Sequence, residues 1–183
     1  MEYAARKKEE NIVEYMLYMY QLEDVVRAFD MRLEELMEHY VLPQLPEQAD
    51  TEANRTWYGA LIVQMRREGI SQSGHLSELK EILMELSYLH NTLINLGKED
   101  QYRKAYNVAC PFIEEFKEKT NLKDRNNIEI AIHALYMKLL MRLKKTPISS
   151  ETEEAFEAMR VLLALLANAY RLMKQGDLNF MNN

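Results

Sequence analysis

One cysteine, five glycines, four prolines and one tryptophan are all that this 183-residue chain holds of those types. A lone thiol, Cys110, precludes an internal disulfide and gives no sign of an exported, disulfide-stapled scaffold. Scarce glycine and proline leave too little punctuation for many short strands and tight turns, so long helices are expected. No apolar run approaches the roughly 20 residues that span a bilayer. The opening segment MEYAARKKEE turns acidic at once, and the apolar stretch after it is interrupted by Glu14, unlike a signal peptide. The cytoplasm is therefore the expected compartment, with no membrane association. Basic charge is also short: 23 Lys and Arg face 29 Asp and Glu, a net charge of −6. The pairs Arg66-Arg67 and Lys144-Lys145 fall at expected helix C-termini, where cations suit the macrodipole. A nucleic-acid binder needs clustered cations to displace counterions from several phosphates, so no nucleic-acid partner is expected.

What is present is helical periodicity. Ile12, Tyr15, Tyr18, Met19, Leu22, Val26 and Phe29 share one face of a helix expected over Ala4 to Ala28. Val13, Met16, Leu17 and Tyr20 make its first half apolar on the other side too, the pattern of a central helix. A second helix over Met31 to Tyr40 stops at LPQLP. A third starts near Glu47 or Thr51 and ends at Gly69. A fourth spans Leu76 to Leu96, with Gly97 closing it. Asp100 is the expected N-cap of a fifth, which Pro111 should kink or break. Asp124 is the expected cap of a sixth, and Ser150 with Glu153 has the spacing of a reciprocal capping box for the last, which closes at Gly176. The expected fold class is all-α: a compact, mainly antiparallel bundle of about seven helices in one domain, residues 1–176, with 177–183 a frayed tail. The first, sixth and seventh helices should form its centre.

Spacings that carry chemistry mostly fail. A di-iron bundle needs Glu-x-x-His on two helices; Glu35 with His39 and Glu129 with His133 are spaced by four, and His75 with Glu78 runs in reverse. Magnesium-dependent helical pyrophosphohydrolases use Glu-x-x-Glu and Glu-x-x-Asp on separate helices. Glu35 with Glu38 and Glu47 with Asp50 match the letters but lie too close in sequence to face across a cleft. Glu78, Glu81 and Glu85 project away from the leucines of their helix, as a solvated face does. GISQS lacks the final glycine and the strand of a nucleophile elbow, and nothing near Cys110 in sequence would activate its thiol. Neither a metal, nor a cofactor, nor a catalytic residue is assigned.

Two groups of residues remain. His90 and His133 project into apolar surroundings; converging with Glu14, Tyr15 and Tyr18 they would form an acid/base or ligand pocket. On the last helix Ala158, Val161, Leu165 and Leu172 form a second apolar stripe opposite the main core face, which needs cover from another helix or a second subunit. Glu23 and Asp24, four and three residues before Arg27, read as an ordinary helical ion-pair arrangement. The twelve methionines sit mostly at core positions, as flexible filler.

The segments EYMLYMYQLEDVVRAF, YGALIVQMRREGISQSGHL, ISSETEEA and LLALLANAY together resemble a family of uncharacterised bacterial all-helical proteins of similar length, a domain of unknown function. Tryptophan would be expected there in place of Tyr20. The resemblance implies a cytoplasmic, all-helical, single-domain protein and carries over no activity. The preferred reading is a non-enzymatic interaction or regulatory module, a homodimer through the second stripe. The alternative is a small-molecule-binding or hydrolytic bundle built on the Tyr/His/Glu pocket.

Overall fold

The computed structural model describes residues 2–96, 100–120 and 122–177. They form α-helices α1 (Glu2–Glu10), α2 (Ile12–Ala28), α3 (Leu33–Leu36), α4 (Thr51–Arg67), α5 (Ser77–Asn95), α6 (Asp100–Lys119), α7 (Asn127–Leu143) and α8 (Ser150–Gln175), with no strand among them. The fold is all-α and compact. The helices α2, α7 and α8 touch one another, as expected of the central elements, and α8 also packs on α5 and α6.

α2 is buried almost all round: Ile12, Val13, Tyr15, Met16, Met19, Tyr20, Leu22, Glu23 and Val26 are all shielded from solvent. The first expected helix is two helices, because Asn11 leaves the helical region (φ −153°, ψ 100°) and its side chain accepts from the Val13 and Glu14 amides. An N-cap satisfies donors that a continuing helix would have bonded internally, so the asparagine restarts the chain in a new direction. After α2, Asp30 and Met31 take left-handed φ values of 51° and 60°, and the Arg66 guanidinium donates to the Met31 carbonyl at 3.0 Å. The second expected helix unwinds after one turn into a π turn (Met37–Val41) and a 3-10 turn (Leu42–Gln44), since Pro43 has no amide to continue the ladder.

Other termini differ in detail from the sequence expectations. Asp50 caps α4 through the Ala53 amide at 2.9 Å. Asn126, not Asp124, caps α7 through the Glu129 amide at 3.0 Å. Ser149 rather than Ser150 caps α8, and Glu153 is drawn away to Lys138 and Arg142 instead of closing a capping box. α6 runs through Pro111 without a break; the proline is on the exposed side. Gly176 closes α8 at φ 80°, a conformation that favours glycine. The expected closing residue Gly97 and most of the tail lie outside the described residues.

Met16 is fully enclosed, whereas Met84 on α5 is 65% exposed. Met16→Ala should cost about 2–5 kcal/mol through lost burial and an unfilled cavity, while Met84→Ala should fall within roughly 0.5 kcal/mol of wild type. Urea denaturation of both variants measures the contrast.

Candidate functional site

The most unusual group in the core is a carboxylate. Glu23 continues the Met16-Met19 row of α2 and precedes Val26 by one turn, so it points where an apolar residue would be expected, and it is completely buried. Its Oε1 accepts from the Leu76 amide at 2.9 Å and its Oε2 pairs with His75 Nδ1 at 2.6 Å. Arg27 Nη2 stands 3.9 Å away. Burying a charge is costly unless it is paired and hydrogen-bonded, and these contacts supply that compensation.

The partners come from the loop between α4 and α5, residues 68–76. Arg27 donates Nε to the Ile70 carbonyl at 3.2 Å, and Nη2 to the Gly74 carbonyl. Gly74 sits at φ 95°, where a side chain would be strained and would crowd Ile70. Leu76 precedes α5 without a side-chain cap of its own; the Glu23 carboxylate accepts its amide from across the core, and Glu68 accepts the first helical amide, that of Ser77, at 2.7 Å. The His75 ring stacks on Tyr20, centroids 3.7 Å apart and planes 21° apart. With Nδ1 held by the carboxylate, Nε2 is the nitrogen left for an outside partner.

His75 and Tyr20 line a cleft of about 590 Å³ whose other polar residues are Lys80, Ser87, Arg125, Asn126 and Glu129. Arg125 pairs with Glu129 at 3.1 Å, and Ser87 Oγ donates to the Leu83 carbonyl and lies 3.1 Å from Asn126 Oδ1. Among the described residues Lys80 has no ion pair, and no group of three or more His, Cys, Asp or Glu is arranged to hold a metal ion.

The structure places the five residues singled out in the sequence in separate surroundings. Glu14 is exposed and pairs with Lys7 at 2.6 Å. Tyr15 donates to Glu78 at 3.3 Å, and burial followed by that carboxylate pushes its hydroxyl up. Tyr18 shares a hydrogen bond with Tyr58 and meets the Tyr3 ring edge-on at 5.1 Å. His90 bonds the Tyr102 hydroxyl through Nδ1 at 2.7 Å, beside the Tyr106 ring. His133 lies against Phe116, and burial, then the field of His75, pulls its imidazole down. Of the five, Tyr15 feels the Glu23 carboxylate and His133 the His75 ring, from different elements, so two of them lie within electrostatic reach of the Glu23–His75 pair. In the sequence His75 stands out only as one member of a failed metal spacing. The available signal was a carboxylate in the apolar row of α2 followed by a histidine at a helix start.

The second stripe of α8 lies partly against α6. Ala158, Val161 and Leu165 line an apolar groove of about 510 Å³ with Ala105, Val108 and Phe112 of α6; Leu172 is not part of it. A second groove of about 280 Å³ begins at the same Phe112 and passes Phe116, Met137 and Met141. Of the three acids read as a solvated face of α5, Glu81 is exposed, while Glu78 holds Lys8 at 2.5 Å and Glu85 holds Lys174 at 2.8 Å and the Tyr170 hydroxyl at 2.5 Å.

Burial pulls the His90 imidazole down from 6.5 to about 4. The unfolded chain therefore takes up this proton first, so the stability contributed is fully present above pH 6.5 and is lost as pH falls toward 4. The loss should be on the order of 2–3 kcal/mol. Urea denaturation across that interval should show a shallower decline in His90→Gln than in wild type; parallel curves would assign the acid sensitivity elsewhere.

Among the described residues no helix is long and apolar enough to cross a membrane. No curated protein and no solved structure matches the chain. A family model described as Domain of unknown function (DUF4924) matches residues 1–177, so the chain belongs to that family, whose function is unknown.

Proposed function

We propose that this chain is a cytoplasmic, non-enzymatic interaction module that pairs with a second copy of itself across α6 and α8. The observation that carries the reading is the continuous apolar strip formed by the two grooves that meet at Phe112. Along it Val108 is 60%, Val161 39% and Met137 37% exposed, while Phe112, Phe116, Met141, Ala158 and Leu165 of the same strip pack against the core. Contiguous exposed apolar surface of this kind marks an interaction site more often than isolated exposed residues do.

A second copy fits the rim. Lys104, Glu154 and Glu157 border the first groove, and Glu115, Lys119 and Glu151 border the second. Both signs therefore occur at both ends of the strip. A two-fold axis through a self-complementary patch can then set each lysine against a carboxylate of the other copy while the valines and phenylalanines bury one another. The lone cysteine is consistent with a reducing compartment, since the fold requires no disulfide.

Size-exclusion chromatography with light scattering tests the pairing. The wild-type chain should run as a dimer, and Val108→Glu combined with Val161→Glu should weaken self-association by about 30-fold or more, the effect of roughly 2 kcal/mol at the centre of an interface. Both positions are exposed in the monomer, so the thermal midpoint extrapolated to the monomer should hold. A wild-type chain that stays monomeric when concentrated would overturn the reading.

A further inference from the structure

We propose that the cleft beside His75 is a binding site for a small organic oxyanion, a carboxylate or phosphate monoester carried on a compact apolar body. The proposal is independent of the pairing of α6 and α8, which lies on other elements. Three groups able to carry positive charge reach the cleft from three parts of the chain: His75 from the loop before α5, Lys80 from α5, and Arg125 from the segment before α7. The single acid in the lining, Glu129, is already engaged by Arg125 at 3.1 Å. With Arg125 matched by Glu129 and His75 facing the buried Glu23, the Lys80 ammonium is the unmatched charge of this cleft among the described residues, on a chain of net charge −6, and a cation flanked by hydrogen-bonding groups on a concave surface attracts and orients an anion.

His75 is prepared for such a ligand in a way a merely structural histidine need not be. Its Nδ1 is fixed by the buried Glu23 carboxylate and its ring is clamped against Tyr20, so Nε2 has a set direction before anything binds. Holding Nδ1 by a carboxylate also leaves the other nitrogen as the one available to hydrogen-bond an outside group. Tyr20, Leu83 and Met84 give the cleft its apolar part, and Met84 is 65% exposed beside it. Ser87 and Asn126 add neutral polar groups between the cations. A lone inorganic anion would use the cations and leave those apolar walls wet, whereas an organic oxyanion uses both.

The test is a titration of the full chain, with histidine rings labelled by nitrogen-15, using benzoate, phenyl phosphate and the neutral isostere benzamide. Only four histidines are present, and His75→Gln identifies the relevant signals by their loss. At least one oxyanion should shift the His75 resonances saturably while benzamide does not. Lys80→Gln combined with Arg125→Gln should weaken that binding about tenfold or more; both side chains are exposed, and unchanged resonances of His90 in the free variant would show that the fold persists. Preference for phenyl phosphate or for benzoate tells which oxyanion the site takes. Absence of a saturable shift with either oxyanion, equal shifts with benzamide, or undiminished binding in the double variant would overturn the proposal.

Discussion

The buried carboxylate of Glu23 joins three pieces of chain that the apolar core alone would not hold in register. It belongs to the central helix α2, accepts the Leu76 amide immediately before α5, and fixes the histidine of the loop between α4 and α5. Apolar packing is non-directional and would tolerate that loop in several positions. Two hydrogen bonds to one enclosed carboxylate do not, because any other loop position leaves it without either bond and with Arg27, 3.9 Å away, as its remaining partner. Arg27, one turn later, repeats the constraint from outside by donating to the carbonyls of Ile70 and Gly74. The loop is thus held at its beginning and at its end by the same face of α2.

A related device recurs along the helix seams. Tyr15 donates to Glu78, Tyr136 to Asp24 and Tyr170 to Glu85, each across a boundary between elements distant in sequence. In every case the ring lies in the core and the hydroxyl reaches a carboxylate at the edge, and burial with the neighbouring acid pushes the hydroxyl up. A tyrosine can supply a large apolar area and still satisfy its polar tip only where such an acceptor stands at the right depth. The acids of α5 and α2 therefore help to set which helix faces meet. The aromatic wealth of α2 is explained in the same terms, since a helix with neighbours all round needs side chains that end in a hydrogen bond as well as side chains that end in a methyl group.

The all-α class, the central place of α2, α7 and α8, and the glycine stop of α8 were legible because they follow from periodicity and punctuation within one segment. The break at Asn11 was not, since asparagine favours a cap but the apolar periodicity runs on past it, and the choice to cap depends on where α1 must go. Asn126 and Ser149 took the capping roles expected of Asp124 and Ser150, a shift of one or two residues of the kind that helix ends show, and at α8 the pull of Lys138 and Arg142 on Glu153 leaves no reciprocal box. Glu23 illustrates the larger limit. Its spacing to Arg27 is that of a surface ion pair, and only the arrival of residues 75 and 76 from a distant loop turns it into a buried acceptor. The role of His75 is hidden from its own segment for the same reason. The apolar stripe of α8 was legible as a surface in need of cover, and α6 supplies part of it.

Native-state hydrogen exchange on Glu23→Met, combined with urea denaturation, tests the central role of the carboxylate most directly. Methionine keeps the volume and removes the acceptor. The account predicts a loss of about 2–4 kcal/mol, the cost of leaving buried donors without a partner, together with fast exchange of the Leu76 amide while amides in the middle of α8 remain protected. A variant as stable as wild type, with the Leu76 amide still slow to exchange, would contradict it.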